Sequence, residues 1–264
     1  MSQLGTAQIH STAVIHSGAR LGADVHVGPF CVIGEEVEIE DGCELMAHIY
    51  MAGPLHVGPG NRFFPYSSIG VVPQDLKFQG ERSETVIGKE NTFREFVTVH
   101  RGTALGGSLT RIGDHNLIMA YAHIAHDCLI GDHTVLANGT TLAGHVVIDD
   151  YAVIGAFSGI HQFCRVGKHS LIGGYSVITR DVLPFTKTVS EREVHAYGIN
   201  AVGLQRHDFT SERRDKLNHA IRLLTSSKLN TSQALEKIRE EAAGSEDLQE
   251  LVRFIETSTR GVIK

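Results

Sequence analysis

The stretch Ile118-Met-Ala-Tyr-Ala-His-Ile124-Ala-His-Asp-Cys-Leu-Ile130-Gly-Asp-His-Thr-Val-Leu136 decides the fold, because an aliphatic residue returns at every sixth position. A period of six differs from the period of about 3.6 of an α-helix and from the alternation of a plain strand. It fits a short strand followed by a corner, and three such units make one coil of a triangular prism. Stacked coils bury one another, so no unit has to be stable alone.

The repeat extends in both directions from this stretch. It runs from Ile112 to Ile178, and an earlier run covers Ile9 to Ile69 and returns at Ile87. A glycine often follows the aliphatic residue, where we expect it to relieve the backbone at the bend. The fifth position of each unit is mostly small, and it holds every cysteine of the chain: Cys31, Cys43, Cys128 and Cys164. We therefore predict that the cysteines are core residues without a redox or metal role.

Two interruptions and a change of pattern divide the chain. Residues 72–85 lack the aliphatic repeat, and the phase slips near residues 103–108, so both segments are predicted to be loops that leave the prism. After about Pro184 the repeat stops, and residues 191–200 look irregular. Helix N-caps then appear at Thr210 or Ser211, at Thr231 or Ser232, and at Ser245. The sequence predicts a mainly β protein, with a prism over residues 1–190 and a small helical domain over 191–264.

The composition argues against several classes of protein. The chain has 264 residues and a formal net charge of −6, and its Lys and Arg are dispersed, so we expect no nucleic-acid surface. No stretch approaches the roughly 18 apolar residues of a membrane span. The N-terminus lacks the basic start and apolar core of a signal peptide. With no CxxC pair, a cytoplasmic protein fits best.

One group of histidines shares a phase of the repeat. When the units are grouped in threes, His100, His126, His145 and His161 fall on one face, and His123 lies at the corner beside them. A histidine titrates near neutrality and can act as a general base for a hydroxyl or amine nucleophile. Asp127 can fix a histidine tautomer, and Gly144 can present a bare N–H to an oxyanion. No Ser–His or Cys–His nucleophile pair is evident, which favours direct transfer without a covalent intermediate.

These segments together resemble one known family. The motifs are Gln74-Asp75-Leu76-Lys77, Val99-His100-Arg101-Gly102-Thr103, His123-Ile-Ala-His126-Asp127-Cys128, Leu142-Ala-Gly-His145, His161-Gln162-Phe163-Cys164 and Ser258-Thr259-Arg260-Gly261. They are similar to those of the UDP-N-acetylglucosamine 3-O-acyltransferases, left-handed parallel β-helix enzymes of hexapeptide repeats that begin lipid A biosynthesis. The match covers nearly the whole chain, whereas the hexad alone is shared by many acyltransferases.

The resemblance implies a reaction and a set of roles. A 3-hydroxyacyl chain passes from acyl carrier protein to the glucosamine 3-hydroxyl of UDP-N-acetylglucosamine, in a homotrimer with sites between prisms. His126 is then the general base, Gly144 N–H the oxyanion donor and Asp127 the orienting group. Substrate-binding roles fall to Gln74, Asp75, Lys77, His100, His123, His145, His161 and Gln162, and to Asn200 and Arg206 from a neighbouring subunit. The donor brings its own phosphopantetheine, so we expect no metal and no resident cofactor.

Three positions bear on the substrate. Val202 and His207 stand where the family often has an acidic residue and an arginine, so the uridine contacts differ in detail. Gly174 stands where the family sets acyl length, and a glycine there implies an open groove and a long chain of hydroxymyristoyl type.

Other interpretations stay open at this point. The related N-acyltransferase of the same pathway usually carries an extra N-terminal domain, whereas the hexads here begin by Ile9. A second interpretation is a zinc lyase, because three histidines from neighbouring coils or chains can bind Zn²⁺ and activate water, as in carbonic-anhydrase-like prisms. A third is a purely structural β-helix, against which the aligned histidines argue.

Overall fold

The first part of the chain is a stack of short parallel strands on the three faces of a prism. The computed structural model describes residues 6–190, 194–225 and 228–264. Residues 1 and 191, at which the two predicted domains begin, lie outside the described residues. Each coil from Gln8 to Val166 contributes one strand to each face, as the period of six predicts.

The faces are numbered in the order in which the chain meets them. Face 1 is formed by Gln8–Ile9, His26–Val27, Glu44–Leu45, Arg62–Phe63, Thr92–Phe93, Leu117–Ile118, Val135–Leu136, Val153–Ile154, Leu171–Ile172, Thr186–Ser190 and Val194–Ile199. Face 2 is formed by Val14–Ile15, Val32–Ile33, Tyr50–Met51, Ser68–Val71, Thr98–His100, His123–Ile124, Thr141–Leu142, Gly159–Ile160 and Val177–Ile178. Face 3 is formed by Arg20–Leu21, Val37–Ile39, Leu55–Val57, Glu84–Ile87, Leu109–Ile112, Leu129–Ile130, Val147–Ile148 and Arg165–Val166. The turns between the faces form edge 1/2, edge 2/3 and edge 3/1.

The prism core is built from the repeating aliphatic residues. Ile124, Leu142 and Ile160 stack in register on face 2, and each is at most 2 % exposed. The four cysteines are free and buried in the same core, as predicted. Burial of one such aliphatic side chain stabilises a protein by roughly 1.5–3 kcal/mol. This is why an unbroken hexad pattern is enough to specify this part of the fold.

The predicted role of the repeat glycines is wrong. Among the repeat glycines in the described part of the chain, only Gly70 has a positive φ, of 75°. The left-handed conformation falls two residues later at most corners, as at Asp127 (φ 60°) and His145 (φ 63°). The glycines are required by close packing instead, because a Cβ at Gly28 would overlap the carbonyl group of Met46 in the next coil.

Both predicted interruptions leave the prism at edge 2/3. The first is shorter than predicted and covers residues 72–83, because Glu84 and Thr85 belong to the strand Glu84–Ile87 of face 3. The second covers residues 101–108 and contains a single 3-10 turn, Ala104–Gly106. The two loops therefore emerge from successive coils on one edge of the prism.

The segment predicted to be irregular is partly a strand. Val194–Ile199 pairs antiparallel with Thr186–Ser190, so a hairpin closes the C-terminal end of face 1. In the described residues that follow, the chain forms α1 (Ala201–Arg206), α2 (Ser211–Thr225), α3 (Thr231–Glu241) and α4 (Glu246–Glu256). Their apolar side chains form a second core that includes Leu183 and Phe185. The boundary between 190 and 191 stays a prediction.

The helix caps match the sequence at two of three places. The Thr210 hydroxyl accepts from the Arg213 N–H at 3.3 Å, and the Ser245 hydroxyl caps α4. The cap of α3 is Asn230 rather than Thr231 or Ser232, because Asn230 and Gln233 form a reciprocal capping box. No helix in the described ranges is both long and apolar enough to cross a membrane.

Candidate active site

The histidines predicted to share a face lie together at the turns of edge 2/3. Val99, Ile124, Leu142 and Ile160 are in register on face 2, so the predicted grouping holds across the second loop. The turns that follow these strands carry His126, His145 and His161, and successive coils lie about 4.8 Å apart along the prism. His100 ends the strand Thr98–His100, and His123, predicted at the corner, instead begins the strand His123–Ile124. The repeat itself therefore assembles the group.

Asp127 lies at the centre of this group and is itself buried. It occupies a left-handed corner, and its own N–H donates to the Thr110 hydroxyl at 2.8 Å. Its Oδ2 lies 2.7 Å from His126 Nδ1 and accepts from the Thr103 hydroxyl at 2.6 Å. Its Oδ1 accepts from the Thr103 N–H at 2.9 Å. These donors compensate the buried negative charge.

The contact with Asp127 fixes the chemistry of His126. An ionised carboxylate only accepts hydrogen bonds, so the proton of a neutral His126 lies on Nδ1 and the lone pair on Nε2. The His126 side chain keeps 16 % of its surface exposed, whereas the Asp127 side chain is fully buried. His126 can therefore take a proton from a group that enters from outside, while Asp127 orients the ring and stabilises the imidazolium that forms.

Gly144 lies directly against the His126 ring. A Cβ built at Gly144 would come within 2.5 Å of Cε1 and 2.7 Å of Nε2. In the described part of the chain, the Gly144 N–H makes no backbone hydrogen bond. An absent side chain and a free N–H beside a base are the features that an oxyanion donor needs.

The buried His100 lies one coil nearer the N-terminus than His126, and its ring packs against the half-buried His123, which lies on the same coil as His126. The His100 and His123 rings meet at 79° with centroids 4.7 Å apart, and His123 Nδ1 lies 2.7 Å from the Thr98 hydroxyl. Burial, helped by the neighbouring histidines, lowers the pKa of His100 to about 4 and also lowers the pKa of His123. Both are therefore neutral at pH 7. Among the described residues, the buried His100 Nδ1 has no hydrogen-bond partner.

His145 and the turn after it line the other side of the group. The His145 ring stacks on Phe163 at 4.4 Å and stands at 90° to His126, and its Nε2 lies 3.8 Å from Asp127 Oδ2. Burial lowers the pKa of His145, although Asp127 acts in the opposite direction. His161 and Gln162 are exposed at the same edge, with His161 Nδ1 3.1 Å from the Gln162 carbonyl.

Of the three substrate-binding residues predicted in the first loop, Asp75 is the one that interacts with this group. The Asp75 carboxylate acts electrostatically on His145, and it accepts from the Lys77 N–H at 3.0 Å. Gln74 and Lys77 are exposed.

Three predicted residues lie away from edge 2/3. Gly174 lies at edge 1/2, in the turn after Leu171–Ile172. The Asn200 side chain caps α1 and donates to the carbonyl of His169 on edge 3/1. Arg206 is exposed at the end of α1, next to His207, which packs on the His169 ring. One chain therefore brings together the histidines, Asp127 and Gly144, but not these three residues.

The contact distances favour a hydrogen-bonded pair over a zinc site. Ligand atoms of His126, Asp127 and His145 lie within 4.8 Å of one another, close enough to consider a metal. With bonds near 2.1 Å, two tetrahedral zinc ligands lie about 3.4 Å apart. The His126–Asp127 distance of 2.7 Å is that of a charge-assisted hydrogen bond, and the same oxygen already accepts from Thr103.

Sequence reasoning missed the residues that support Asp127. Thr110 lies in none of the quoted motifs, and Thr103 ends the motif Val99-His100-Arg101-Gly102-Thr103 without a role having been assigned to it. The available signal was the slip of the repeat near residues 103–108, which marks the loop that contains Thr103.

Comparisons with known proteins agree with this architecture. A hexapeptide-transferase family model matches residues 109–144 and 145–180, and the model "Udp N-acetylglucosamine O-acyltransferase; Domain 2" matches residues 181–263. An acyl-[acyl-carrier-protein]–UDP-N-acetylglucosamine O-acyltransferase of Halorhodospira halophila is 46% identical over 97% of this chain and 99% of its own length. One of Stenotrophomonas maltophilia is 45% identical over 97% of this chain and 98% of its own.

Solved structures give the same result. The UDP-N-acetylglucosamine acyltransferase of Francisella novicida superposes with a TM-score of 0.95 at 41% identity, over 97% of this chain and 94% of that one. The Bacteroides fragilis enzyme superposes with a TM-score of 0.95 at 40% identity, over 97% of this chain and 100% of that one. The predicted fold class, a left-handed parallel β-helix followed by a small helical domain, is confirmed.

Proposed function

Because the chain belongs to the acyl-[acyl-carrier-protein]–UDP-N-acetylglucosamine O-acyltransferase family, we propose that it catalyses the first step of lipid A biosynthesis through His126. A 3-hydroxyacyl chain moves from acyl carrier protein to the glucosamine 3-hydroxyl of UDP-N-acetylglucosamine. The single observation that carries the mechanism is the 2.7 Å contact between His126 Nδ1 and the buried Asp127 carboxylate, since it leaves Nε2 free as the base.

The transfer proceeds through a tetrahedral intermediate. His126 Nε2 accepts the proton of the sugar 3-hydroxyl as its oxygen attacks the thioester carbon. Negative charge moves to the thioester oxygen, which the Gly144 N–H stabilises. The C–S bond then breaks, and the pantetheine sulfur takes the proton from His126 Nε2. The products are the O-acylated nucleotide sugar and the free carrier-protein thiol, and no covalent enzyme intermediate forms.

The remaining edge 2/3 residues bind the substrates. His123, His145 and His161 line the groove with Gln162, whereas Gln74, Asp75, Lys77 and His100 contact the nucleotide sugar or the pantetheine arm. Neutral imidazoles suit this role, because His100 and His123 can donate or accept hydrogen bonds without placing charge beside the base.

A homotrimer accounts for the predicted residues on the other edges. Gly174, Asn200 and Arg206 act at His126 only if another copy of the chain presents them. Edge 1/2 offers a surface for this contact, because Phe30, His48, Tyr66, Phe96 and Tyr121 stack along it with ring centroids 4.8–5.0 Å apart. Phe30 is 55% and Tyr121 63% exposed, and apolar stripes of this kind mark interfaces.

Light scattering tests the homotrimer and should give three times the chain mass of 28.7 kDa. A fully active monomer would contradict the proposal.

We place the enzyme in the cytoplasm and assign it no resident cofactor. Four reduced, buried cysteines suit a reducing compartment. Dialysis against a chelator should leave the rate unchanged, whereas a loss that Zn²⁺ restores would favour the zinc interpretation.

A mass-spectrometric transfer assay tests the proposed reaction. Purified protein receives 3-hydroxyacyl carrier proteins of several lengths, with UDP-N-acetylglucosamine in one arm and an O-acylated glucosamine nucleotide in the other. We expect an acylated UDP-N-acetylglucosamine in the first arm only. Product in the second arm alone would assign the chain to the related N-acyltransferase reaction, and no product in either arm would overturn the acyltransferase function.

A further inference from the structure

The slip of the hexad repeat coincides with the support of the catalytic pair. An uninterrupted repeat would turn from face 2 to face 3 with a tight corner after Thr98–His100. The chain instead takes the longer path through residues 101–108, with the 3-10 turn Ala104–Gly106 inside it. This turn lies against Asp127, because a Cβ at Gly106 would overlap the Asp127 carboxylate.

Thr103 is the residue through which the turn reaches the catalytic pair. It is 3% exposed, and both its backbone and its side chain bond to Asp127: the N–H to Oδ1 at 2.9 Å and the hydroxyl to Oδ2 at 2.6 Å. Oδ2 is also the oxygen that His126 Nδ1 contacts at 2.7 Å. The Thr103 hydroxyl and the His126 ring therefore share one acceptor oxygen.

The position of Thr103 is itself fixed by the loop. Its carbonyl accepts from the N–H groups of Gly106, at 3.0 Å, and Ser108, at 2.8 Å. The N–H of Ala104 donates to Glu81 Oε1 at 3.2 Å, which ties the turn to the first loop. Hydrogen bonds on both sides hold the Thr103 hydroxyl where Asp127 needs it.

We infer that Thr103 is a positioning residue for catalysis, which acts by holding the Asp127 oxygen that orients His126. This inference rests on the proposed role of His126 as general base. With the Thr103 hydroxyl in place, Asp127 cannot rotate away from His126 without losing a charge-assisted hydrogen bond.

The test combines kinetics with a series of variants. Thr103→Val keeps the shape and removes the hydroxyl, and Thr103→Ala removes it without adding bulk if the valine variant folds poorly. We expect kcat to fall roughly 10- to 100-fold in both, with KM for both substrates unchanged, since the lost bond involves a charged group and no substrate. Thr103→Ser should restore most of the rate. Gly106→Ala should lower kcat by displacing Asp127.

Leu105→Ala provides the matched control, because Leu105 lies in the same turn and is 79% exposed. It should keep the wild-type rate. The split between kcat and KM, together with the rescue by Thr103→Ser, separates positioning from a general loss of stability. An unchanged rate in Thr103→Val, beside an inactive His126→Ala, would overturn the inference and leave the proposed function standing.

A spectroscopic readout tests the inference even if the proposed reaction fails. Imidazole ¹⁵N shifts of His126 in the substrate-free protein report which ring nitrogen carries the proton. We expect the Nδ1–H form in the wild type and in Thr103→Ser, and a mixture of tautomers in Thr103→Val. Identical spectra for the three proteins would show that Thr103 does not position the ring.

Discussion

Two edges of the same prism carry histidines and use them differently. On edge 3/1 the corner residues His115, His133, Tyr151 and His169 stack with ring centroids 4.7–4.8 Å apart and planes within 11°. On edge 2/3 the His126 and His145 rings meet at 90°. The left-handed corner places successive side chains in one column, so rings at successive corners stack.

The difference between the edges comes from the residue at one corner. On edge 2/3 that corner is Asp127, so a buried carboxylate takes the place of a ring and the adjacent His126 turns toward it. The two loops also open on edge 2/3, and one of them supplies the donors that hold Asp127. Histidine content alone therefore does not mark the site. The buried acceptor and the broken repeat mark it.

The largest expected effect is the difference in rate between two variants, each of which lacks one histidine on one of the two edges. His126→Ala should lower kcat by roughly 10²- to 10⁴-fold, the usual contribution of a general base. His133→Ala, the matched change on edge 3/1, should keep the wild-type rate because His133 is exposed and only stacks. Single-turnover transfer on folded protein measures both. Equal losses in the two variants would remove the functional distinction between the edges.

Gly144→Ala should have the next largest effect. Its methyl group would lie 2.7 Å from His126 Nε2, closer than van der Waals contact, so the ring has to move off the substrate hydroxyl. We expect a fall in kcat of about 100-fold, comparable to the loss of one oxyanion donor. Thermal unfolding should change little, since the ring has exposed space into which to turn. A wild-type rate would show that the base is not beside Gly144 during the reaction.

Gly174→Met tests whether edge 1/2 completes the site. If a neighbouring chain presents Gly174 to the acyl groove, the added side chain shortens the groove. The preference for hydroxymyristoyl over hydroxydecanoyl carrier protein should then fall by at least about 10-fold, as expected when several methylenes lose their space. The hydroxydecanoyl rate serves as the internal control for folding. An unchanged preference would exclude Gly174 as the residue that sets chain length.

Most of the fold followed from the sequence because the hexad repeat is local and is interrupted at only two places. The grouping of Ile124, Leu142 and Ile160 could be read from their spacing of 18 residues, whereas the placement of Val99 with them was an assumption about the second loop. The structure confirms both, and the coil register places their histidines together. The repeat glycines were misread, because the pattern shows where small residues stand and not whether φ or a neighbouring coil requires them. The hairpin strand Val194–Ile199 has no hexad partner in sequence, so its pairing was not visible.

The candidate site was only partly readable for a similar reason. His126 and Asp127 are adjacent in sequence, so their pairing was a local inference. Thr103 lies 24 positions from Asp127, inside a loop whose path no periodicity describes. The assignments of Gly174, Asn200 and Arg206 depended on resemblance, since within one chain these residues lie away from His126.

The smallest effect concerns stability on edge 3/1, where His169 is buried between Tyr151 and Phe185. Burial, together with His207 and the cations Lys168 and Arg213, lowers the pKa of His169 to about 4, and Asp247 opposes the shift. Unfolding restores a value near 6.5, so the unfolded chain binds more protons between these values. His169 thus destabilises the protein as pH falls from about 6.5 toward 4, by at most about 3 kcal/mol.

His169→Phe should continue the ring stack and flatten this dependence of stability on pH. It also removes a buried Nδ1 that has no partner in the described structure. Denaturant unfolding from pH 7.5 to 4.5 measures the slope, with His133→Phe as the exposed control. Part of the pH dependence should remain in His169→Phe, because His100 also has a pKa of about 4. A slope equal to that of the wild type would mean that the buried ring of edge 3/1 does not govern acid stability.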